Sequence, residues 1–292
     1  MWLASFAVAE NKAAPTFTSS PVTTGSYQAS YLYHITTTGG VGAITITATG
    51  LPSGLIITDN GDGTADITGN PSISGGPFSI TVTATDSNLD FTDQFFDLTI
   101  SKAVLTVTAE DKARIYGDAN PAFTVAYAGF VNGETASVLT TAPTASSTAV
   151  PTTPVGTVPI TASGGVDENY SFTYVDGTLT ISKAVLTVTA EDKARIYGDA
   201  NPVFTVAYAG FVNGETASVL TTAPTASSTA VATTPVGTVP ITASGGVDEN
   251  YSFTYVPGTL TISKAVLTVT AEDKARIYGD ANPAFTVAYA GF

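Results

Sequence analysis

The sequence contains no cysteine, and it has one histidine, one methionine and one tryptophan among 292 residues. Without cysteine the chain forms no disulfide bond and no thiolate metal site, and it is compatible with an oxidising, extracellular space. The single histidine, His34, has no second histidine to complete an imidazole metal site. The sequence also lacks a G-x-S-x-G elbow, a P-loop and a G-x-G-x-x-G motif. We therefore expect a protein that is not an enzyme, with no catalytic residue and no cofactor.

Positive charge is scarce as well. The chain carries 10 Lys and Arg against 24 Asp and Glu, and residues 13–101 contain seven Asp but no Glu, Lys or Arg. Such an acidic field repels phosphate backbones and anionic surfaces, so we expect no nucleic-acid partner. No apolar run approaches the ~18 residues of a membrane span. Residues 1–9 end in a pattern resembling a signal cleavage site but lack a basic segment, so residues 1–14 are interpreted as a linker or leader remnant.

The residues that are abundant favour β-strands. Hydrophobic residues make up 43% of the chain and charged residues 12%, which is apolar enough to build cores. Val, Ile, Ala, Phe and Tyr dominate the apolar set, and Thr is common. Because β-branched and aromatic side chains fit a pleated, half-buried surface, the composition predicts an all-β protein.

An internal repeat organises most of the chain. Residues 102–182 and 183–263 align without gaps, and residues 264–292 match residues 102–130 without a change. The two complete copies differ at three positions, which pair Ala122 with Val203, Pro151 with Ala232 and Asp176 with Pro257. A unit of this length is a small domain rather than one turn of a solenoid.

The junctions between units repeat too. Each unit follows an Ile-Ser dipeptide and begins with a lysine, at Lys102, Lys183 and Lys264, without a Gly/Ser-rich or Pro-rich linker. We therefore expect the last strand of one unit to run directly into the first strand of the next, giving a stiff, elongated array. The predicted domains are a β-sandwich at 15–101, complete repeats at 102–182 and 183–263, and a truncated repeat at 264–292.

Within the repeat, alternation predicts three strands, at residues 103–109, 123–127 and 155–162. A single helical turn is expected between Asn132 and Leu139, followed by a loop. An aromatic hairpin is also expected, in which Tyr174 lies opposite Leu179 across an Asp-Gly turn. Since the truncated repeat lacks the third strand and this hairpin, residues 264–292 are not expected to form a stable domain.

Residues 15–101 read as a separate β-sandwich packed against the first repeat. Short alternating strands are separated by turn residues, at 44–48, 55–58, 65–68, 78–82 and 95–100. The inner faces are expected to include Phe78, Ile80, Val82 and either Phe95 or Phe96.

Two acidic clusters in this region are candidate calcium sites, since hard cations bind clustered oxygens. The first is Asp59 and Asp62, within a run that does not fit an EF-hand because Asn70 stands where the bidentate acid is needed. The second is Asp86, Asp90 and Asp93, with Asp97 following on the same stretch. The alternative is that the first cluster is a hairpin turn and the second a set of solvated strand-end carboxylates. We expect no metal site, with calcium at these residues as the alternative.

The repeat resembles the MBG domain of the YGX type, through the stretches 109–118, 129–135 and 169–174. The first module resembles the Ig/cadherin-like modules of bacterial surface proteins, through the stretches 15–21, 51–55, 59–65 and 82–86. These resemblances imply large, exported, adhesin-like tandem-repeat proteins, and neither carries catalytic residues.

The expected function is a structural stalk or spacer in a bacterial cell-surface or secreted adhesin-like protein. The alternative is a carbohydrate- or mucin-binding module that engages its ligand directly. The partners implied are glycans or proteins of a host or a neighbouring cell. The aromatic residues fall mainly on predicted core faces, which favours the stalk, because binding modules usually display aromatic residues on an exposed patch.

Overall fold

The computed structural model describes residues 13–292, and the regular elements in this range are strands, apart from two 3-10 turns of three residues each. The all-β prediction is confirmed. Of residues 1–14, interpreted as a linker or leader remnant, residues 1–12 lie outside the described residues. The fold divides into two compact units. The first extends to Lys112 and includes Ala122–Ser147 and Pro159–Thr178, and the second comprises Ala113–Pro121, Thr148–Val158 and Leu179–Phe292.

The N-terminal β-sandwich lies in the first unit. Its strands are β1 (Thr16–Phe17), β2 (Thr24–Ser26), β3 (Tyr31–Thr38), β4 (Thr45–Thr49), β5 (Leu55–Asp59), β6 (Thr64–Gly69), β7 (Gly75–Thr85) and β8 (Phe91–Ser101). They form two four-stranded sheets with the orders β1-β3-β6-β5 and β2-β8-β7-β4. The predicted hairpin between β5 and β6 is present, with Asp59 paired to Ala65.

The sandwich core is built from alternate residues of both sheets. Ile80 and Val82 of β7 are buried as predicted, and Phe78 is half-buried. Of the two phenylalanines proposed for the inner face, Phe96 is the one that points inward, with its ring edge-on to Tyr33 at 5.7 Å between centroids. Phe95 is on the opposite face and is 71% exposed.

The first repeat begins with β9 at Ala103, one residue after Lys102. Its elements are β9 (Ala103–Ala109), β10 (Lys112–Ile115), β11 (Val125–Ala128), a 3-10 turn (Ala136–Val138), β12 (Thr144–Ser146), β13 (Gly156–Ser163), β14 (Tyr170–Val175) and β15 (Gly177–Ser182). The predicted helical turn is therefore a single 3-10 turn. Strands β10 and β12 were not predicted, because they are short and carry little alternation.

The second repeat has the same elements, each displaced by 81 positions. They are β16 (Ala184–Ala190), β17 (Lys193–Ile196), β18 (Val206–Ala209), a 3-10 turn (Ala217–Val219), β19 (Thr225–Ser227), β20 (Gly237–Ser244), β21 (Tyr251–Val256) and β22 (Gly258–Ser263). The sheets are β18-β16-β21 and β17-β22-β20-β19. Apolar side chains from both sheets fill the core, among them Leu186, Val188, Ile241, Leu260 and Ile262. The equal bounds confirm that the two copies share one fold.

The predicted aromatic hairpin is wrong. In the second repeat β21 pairs in parallel with β16, whereas β22 pairs with β20 and β17 in the other sheet. A single residue connects the two strands in each copy, and this residue, Asp176 or Pro257, is exposed. A Cβ on Gly258 would lie 2.3 Å from the carbonyl oxygen of Ala190. This glycine is required for close backbone packing rather than for a turn, and the Asp-Gly pattern of the first copy misled the prediction.

The other two differences between the copies are also accommodated locally. Val203 stands at an exposed position, as does its counterpart Ala122. At the third site the peptide carbonyl is what matters, because the oxygens of Pro151 and Ala232 each accept a hydrogen bond of 3.2 Å from a glycine N–H. Either side chain leaves that carbonyl available.

The truncated third copy forms a two-stranded sheet. It contains β23 (Thr268–Ala271) and β24 (Val287–Ala290), paired antiparallel. Its first strand corresponds to Thr187–Ala190, the part of β16 that pairs with β18. Val269 and Tyr289 are exposed, as are almost all side chains from Lys264 onward.

Candidate functional site

The first acidic cluster forms a hydrogen-bonded turn. Asp59 accepts a bond from the Gly61 N–H at 3.1 Å and another from the Ile46 N–H at 3.1 Å. Asp62 accepts from the N–H and hydroxyl of Thr64 at 3.0 and 2.6 Å, and these bonds hold the pKa of Asp62 below its ordinary value. The two carboxylates thus act as turn acceptors between β5 and β6.

The second cluster is built around Asp86, which is buried. Its Oδ2 accepts a bond from the Val41 N–H at 2.8 Å, and its Oδ1 accepts from the N–H groups of Asn88 and Asp90 at 2.8 and 3.1 Å. Asp93 accepts a bond from the Thr83 hydroxyl at 2.7 Å. Across the described residues, no group of three or more His, Cys, Asp or Glu side chains is arranged to hold a metal ion.

His34 lies on β3, exposed and hydrogen-bonded through Nδ1 to Asp66 at 2.6 Å. Bonds from Asn60 and then His34 lower the pKa of the Asp66 carboxyl. No serine or threonine nucleophile is hydrogen-bonded to this imidazole among the described residues, so the pair reads as a cross-strand contact.

Each complete repeat contains a buried arginine that is hydrogen-bonded on several sides. In the second repeat the Arg195 guanidinium bonds to the Oδ1 of Asn201 at 2.9 Å and to the carbonyl of Val231 at 2.5 Å. The loop that follows this arginine is also held at Tyr197, whose N–H donates to the carbonyl of Ser263 at 2.9 Å. Arg114 makes equivalent bonds in the first repeat. These contacts hold the Tyr-Gly dipeptide that follows the arginine in a defined position.

The Tyr-Gly dipeptide of the first repeat, Tyr116-Gly117, belongs to the second compact unit, where it contacts the second repeat. The Tyr116 hydroxyl donates to Glu215 Oε1 at 2.7 Å, and the hydroxyl of Tyr251 donates to Glu215 Oε2 at 2.6 Å. The two tyrosine rings meet edge-on, 5.8 Å apart. The Tyr251 oxygen also accepts a bond from the Val212 N–H at 3.0 Å. One carboxylate therefore holds one tyrosine from each of two consecutive repeats.

We call the contact between two consecutive domains a joint. Two further contacts complete the joint between the first and second repeats. A Cβ on Gly117 would lie 2.5 Å from the side chain of Val212, so only glycine permits the approach. The Val155 N–H donates to the Oδ1 of Asn250 at 3.0 Å. We call Val212, Glu215, Asn250 and Tyr251 the socket of the second repeat, and the corresponding residues Val131, Glu134, Asn169 and Tyr170 the socket of the first.

In the first unit, the socket of the first repeat receives a tyrosine from the sandwich. The Tyr27 hydroxyl donates to Glu134 Oε1 at 2.8 Å, and the Tyr170 hydroxyl donates to Oε2 at 2.5 Å. The rings of Tyr27 and Tyr170 lie 5.8 Å apart, edge-on. The Ser74 N–H donates to Asn169 Oδ1 at 2.8 Å, in the role that Val155 has in the second unit. This confirms the predicted contact between the sandwich and the first repeat.

The electrostatics keep the socket tyrosines as donors. Burial, and then the hydrogen bond to the glutamate, raise the pKa of Tyr170 and of Tyr251 to about 12. The pKa of Tyr116 is raised chiefly by its bond to Glu215 and that of Tyr27 chiefly by burial. The neutral phenols therefore persist beside the carboxylate at physiological pH.

The junction lysines add a bond inside each repeat. Lys102 Nζ donates to the carbonyl of Asp167 at 2.7 Å, and Lys183 Nζ to that of Asp248 at 2.8 Å. The Asp167 and Asp248 side chains in turn accept bonds from the N–H groups of the socket residues Asn169 and Asn250. The lysine that marks each repeat boundary thus supports the loop that carries the socket asparagine.

Sequence reasoning missed the joint. Its tyrosine sits in a loop and its glutamate follows an Asn-Gly turn, so neither falls on a strand pattern. The signal that was present is the pairing of a Tyr-Gly dipeptide with an isolated Glu in every complete copy.

A repeated joint between consecutive β-domains defines a modular repeat protein. The family model described as "MBG domain (YGX type)" matches residues 105–180, 186–261 and 267–292. The chain belongs to this family, and the matched residues contain the dipeptides Tyr116-Gly117, Tyr197-Gly198 and Tyr278-Gly279.

Solved structures resemble the chain only loosely. The Bacillus anthracis TIE protein has a TM-score of 0.30 at 11% identity, covering 92% of this chain and 61% of that one. The integrin-binding bacterial protein invasin has a TM-score of 0.25 at 16% identity, covering 90% and 61%. Protocadherin Gamma B2 domains 3–6 give 0.26 at 8%, covering 86% and 76%. Likeness at this level carries no argument about function. A search of curated protein sequences found no match, and none of the described helices is long and apolar enough to cross a membrane.

Proposed function

We propose that the chain is a stalk or spacer segment of a large bacterial cell-surface or secreted adhesin-like protein, with no enzymatic activity and no cofactor. The observation that supports this is the repeated joint. Two sockets of identical composition receive two unrelated preceding domains, each through one tyrosine hydroxyl and one backbone N–H. A joint that reproduces its contacts in this way fixes successive domains in a regular manner.

The energetics favour a stiff joint. A hydrogen bond to a charged group contributes about 1.5–3 kcal/mol to stability, and an edge-on aromatic pair adds roughly 0.5–1.5 kcal/mol. Strand β15 ends at Ser182 and β16 starts at Ala184, so the covalent connection is also short. A chain built this way transmits orientation from one domain to the next, which is what a spacer requires.

The test is the distance distribution across each joint. Because the chain has no cysteine, spin labels attach only at introduced sites. Exposed positions that suit the purpose are Thr47 with Thr173 across the first joint, and Thr152 with Thr238 across the second. The proposal expects one narrow distribution for each pair, which broadens when Tyr27→Ala or Tyr116→Ala opens the joint. Broad distributions in the parent chain would contradict a stiff spacer.

A second candidate function, direct binding of a carbohydrate or mucin, is favoured by one observation. Phe91 and Phe95 are exposed on the outer face of β8, where the cross-strand neighbours of Phe95 and Phe91 on β7 are Thr81 and Thr85. Exposed aromatic rings beside hydroxyl groups suit stacking against a sugar. Titration of the chain with oligosaccharides, followed by NMR, would show shifts at this face that Phe95→Ala abolishes. No shift at any concentration would leave the spacer as the better account.

A further inference from the structure

The same loop occurs in the two complete repeats but is covered in only one of them. Tyr116 is 4% exposed, whereas Tyr197 is 43% exposed. The difference does not come from the loop itself. Gly117 and Gly198 have φ values of 91° and 96°, and the N–H of each tyrosine donates to the last residue of its own repeat at 2.8 and 2.9 Å. What Tyr116 has in addition is the socket of the next repeat.

Two other positions show the same contrast. A Cβ on Gly117 would collide with Val212, but a Cβ on Gly198 would meet nothing within 4 Å. Val155, whose N–H donates to Asn250 at 3.0 Å, is half-buried, whereas its counterpart Val236 is 47% exposed. Tyr197 and Val236 line a single surface depression together with Pro235, Lys264 and Ala265. All the elements that meet a socket at the second joint are therefore preformed and uncovered here.

We propose that this surface, formed by Tyr197, Gly198 and Val236, docks the socket of a further repeat of the same type, joined in sequence after the second. The partner chemistry follows from the filled joint. A carboxylate accepts the Tyr197 hydroxyl, a tyrosine ring packs edge-on against it, a valine covers Gly198, and an asparagine accepts the Val236 N–H. The inference rests on the proposed spacer function and extends it, because it makes the Tyr-Gly motif a recognition element for the next repeat rather than a core element of its own.

A second copy of this chain is a poorer occupant. The socket of the first repeat is filled by Tyr27 and that of the second by Tyr116, so neither is free to receive Tyr197. Docking in trans would have to open an existing joint. Residues 264–292 repeat residues 102–130, a stretch that contains none of the four socket residues. The occupant that we propose is accordingly a further complete repeat of the same type, which brings a socket of its own.

The experiment extends the full chain after Phe292 with a copy of residues 212–263, which completes a third repeat. Hydrogen exchange is followed at residues 193–201 and 235–238 and in the appended strands. The expected result is a folded third repeat and protection near Tyr197 that rises about tenfold or more, to the level near Tyr116. The matched control carries glutamine at the appended counterpart of Glu215, and it should lose most of this gain while its strands stay protected.

Two outcomes would overturn the inference. One is a third repeat that folds while exchange near Tyr197 stays unchanged. The other is a third repeat that fails to fold although Tyr197 is intact. Neither outcome would alter the label distances across the two existing joints, so the failure of this inference is distinguishable from the failure of the spacer function.

Discussion

Tyr116 and Glu215 lie 99 positions apart in the sequence and are joined by a hydrogen bond of 2.7 Å from the phenol to the carboxylate. Each belongs to a different copy of the repeat, and the same glutamate also holds Tyr251 of its own copy. In the first unit Tyr27, Glu134 and Tyr170 form the same arrangement. A contact that recurs with a different preceding domain indicates that the socket, rather than the partner, defines the joint.

The two Tyr-Gly glycines offer an internally controlled test. Both have a positive φ, so alanine at either one costs about 1–2 kcal/mol in backbone strain. Only at Gly117 would the new Cβ also collide with Val212. We therefore expect Gly117→Ala to lower the free energy of unfolding clearly more than Gly198→Ala, as measured by urea denaturation. Equal losses would show that Gly117 does not serve the joint.

The joint also predicts sensitivity to alkaline pH. The pKa of Tyr170 and of Tyr251 is raised to about 12 from an ordinary 10.0, so the folded state binds the phenol proton more tightly than the unfolded state. The stability this provides is complete below about pH 10 and is lost as the pH rises towards 12. Denaturation across this range should show a steeper loss in the parent chain than in Tyr251→Phe. Parallel curves would contradict the shift.

Calcium should have little effect on stability. The carboxylate oxygens of Asp86 already accept three backbone N–H bonds, and the Oδ1 of Asp62 accepts two bonds from Thr64. Asp86→Asn should cost about 1–3 kcal/mol, because one of the two oxygens that accept these part-buried backbone bonds is replaced by a donor, whereas the exposed Asp62→Asn should cost much less. Melting curves with and without calcium are expected to coincide. A rise in melting temperature with calcium that Asp86→Asn removes would establish a metal site instead.

The sequence was sufficient to predict where several strands lie but not which strands pair. Alternation located β9 and β13 within a residue, because it reports which side chains point inwards. It could not report which strands pair. The parallel pairing of β21 with β16 brings together strands about 70 residues apart, and the Asp-Gly dipeptide suggested a local hairpin instead.

The joint was beyond sequence reasoning for a different physical reason. Glu215 and Tyr116 lie in loops, where hydrophobic periodicity carries no information, and their contact depends on how one domain follows another. Arg195 is 7% exposed and is satisfied mainly by backbone carbonyls, which leave no trace in the side-chain sequence. Tyr116 and Tyr197 lie in the same local sequence, yet the first is buried and the second is exposed. The burial of a residue is therefore not fixed by its neighbours in the sequence alone.

The truncated repeat should exchange its amides rapidly. Strands β23 and β24 pair only with each other among the described residues, and a lone two-stranded sheet is marginal in water. Hydrogen exchange should be fast from about Ala271 onward and slow at the matching amides of residues 109–130. Equal protection in a monomeric sample would be inconsistent with this account, whereas protection that appears only on self-association would indicate pairing of the open strand edges.

Whether Tyr116 and Glu215 hold the second joint together is decided by a double-mutant cycle, in which Tyr116→Phe, Glu215→Gln and the double variant are each unfolded in urea. We expect a coupling energy of about 1–3 kcal/mol between the two positions, because each substitution removes one partner of the same charged hydrogen bond. The control cycle, Tyr197→Phe with Glu215→Gln, should be additive. Additivity within ~0.5 kcal/mol at Tyr116 and Glu215 as well would contradict a joint that fixes one repeat to the next.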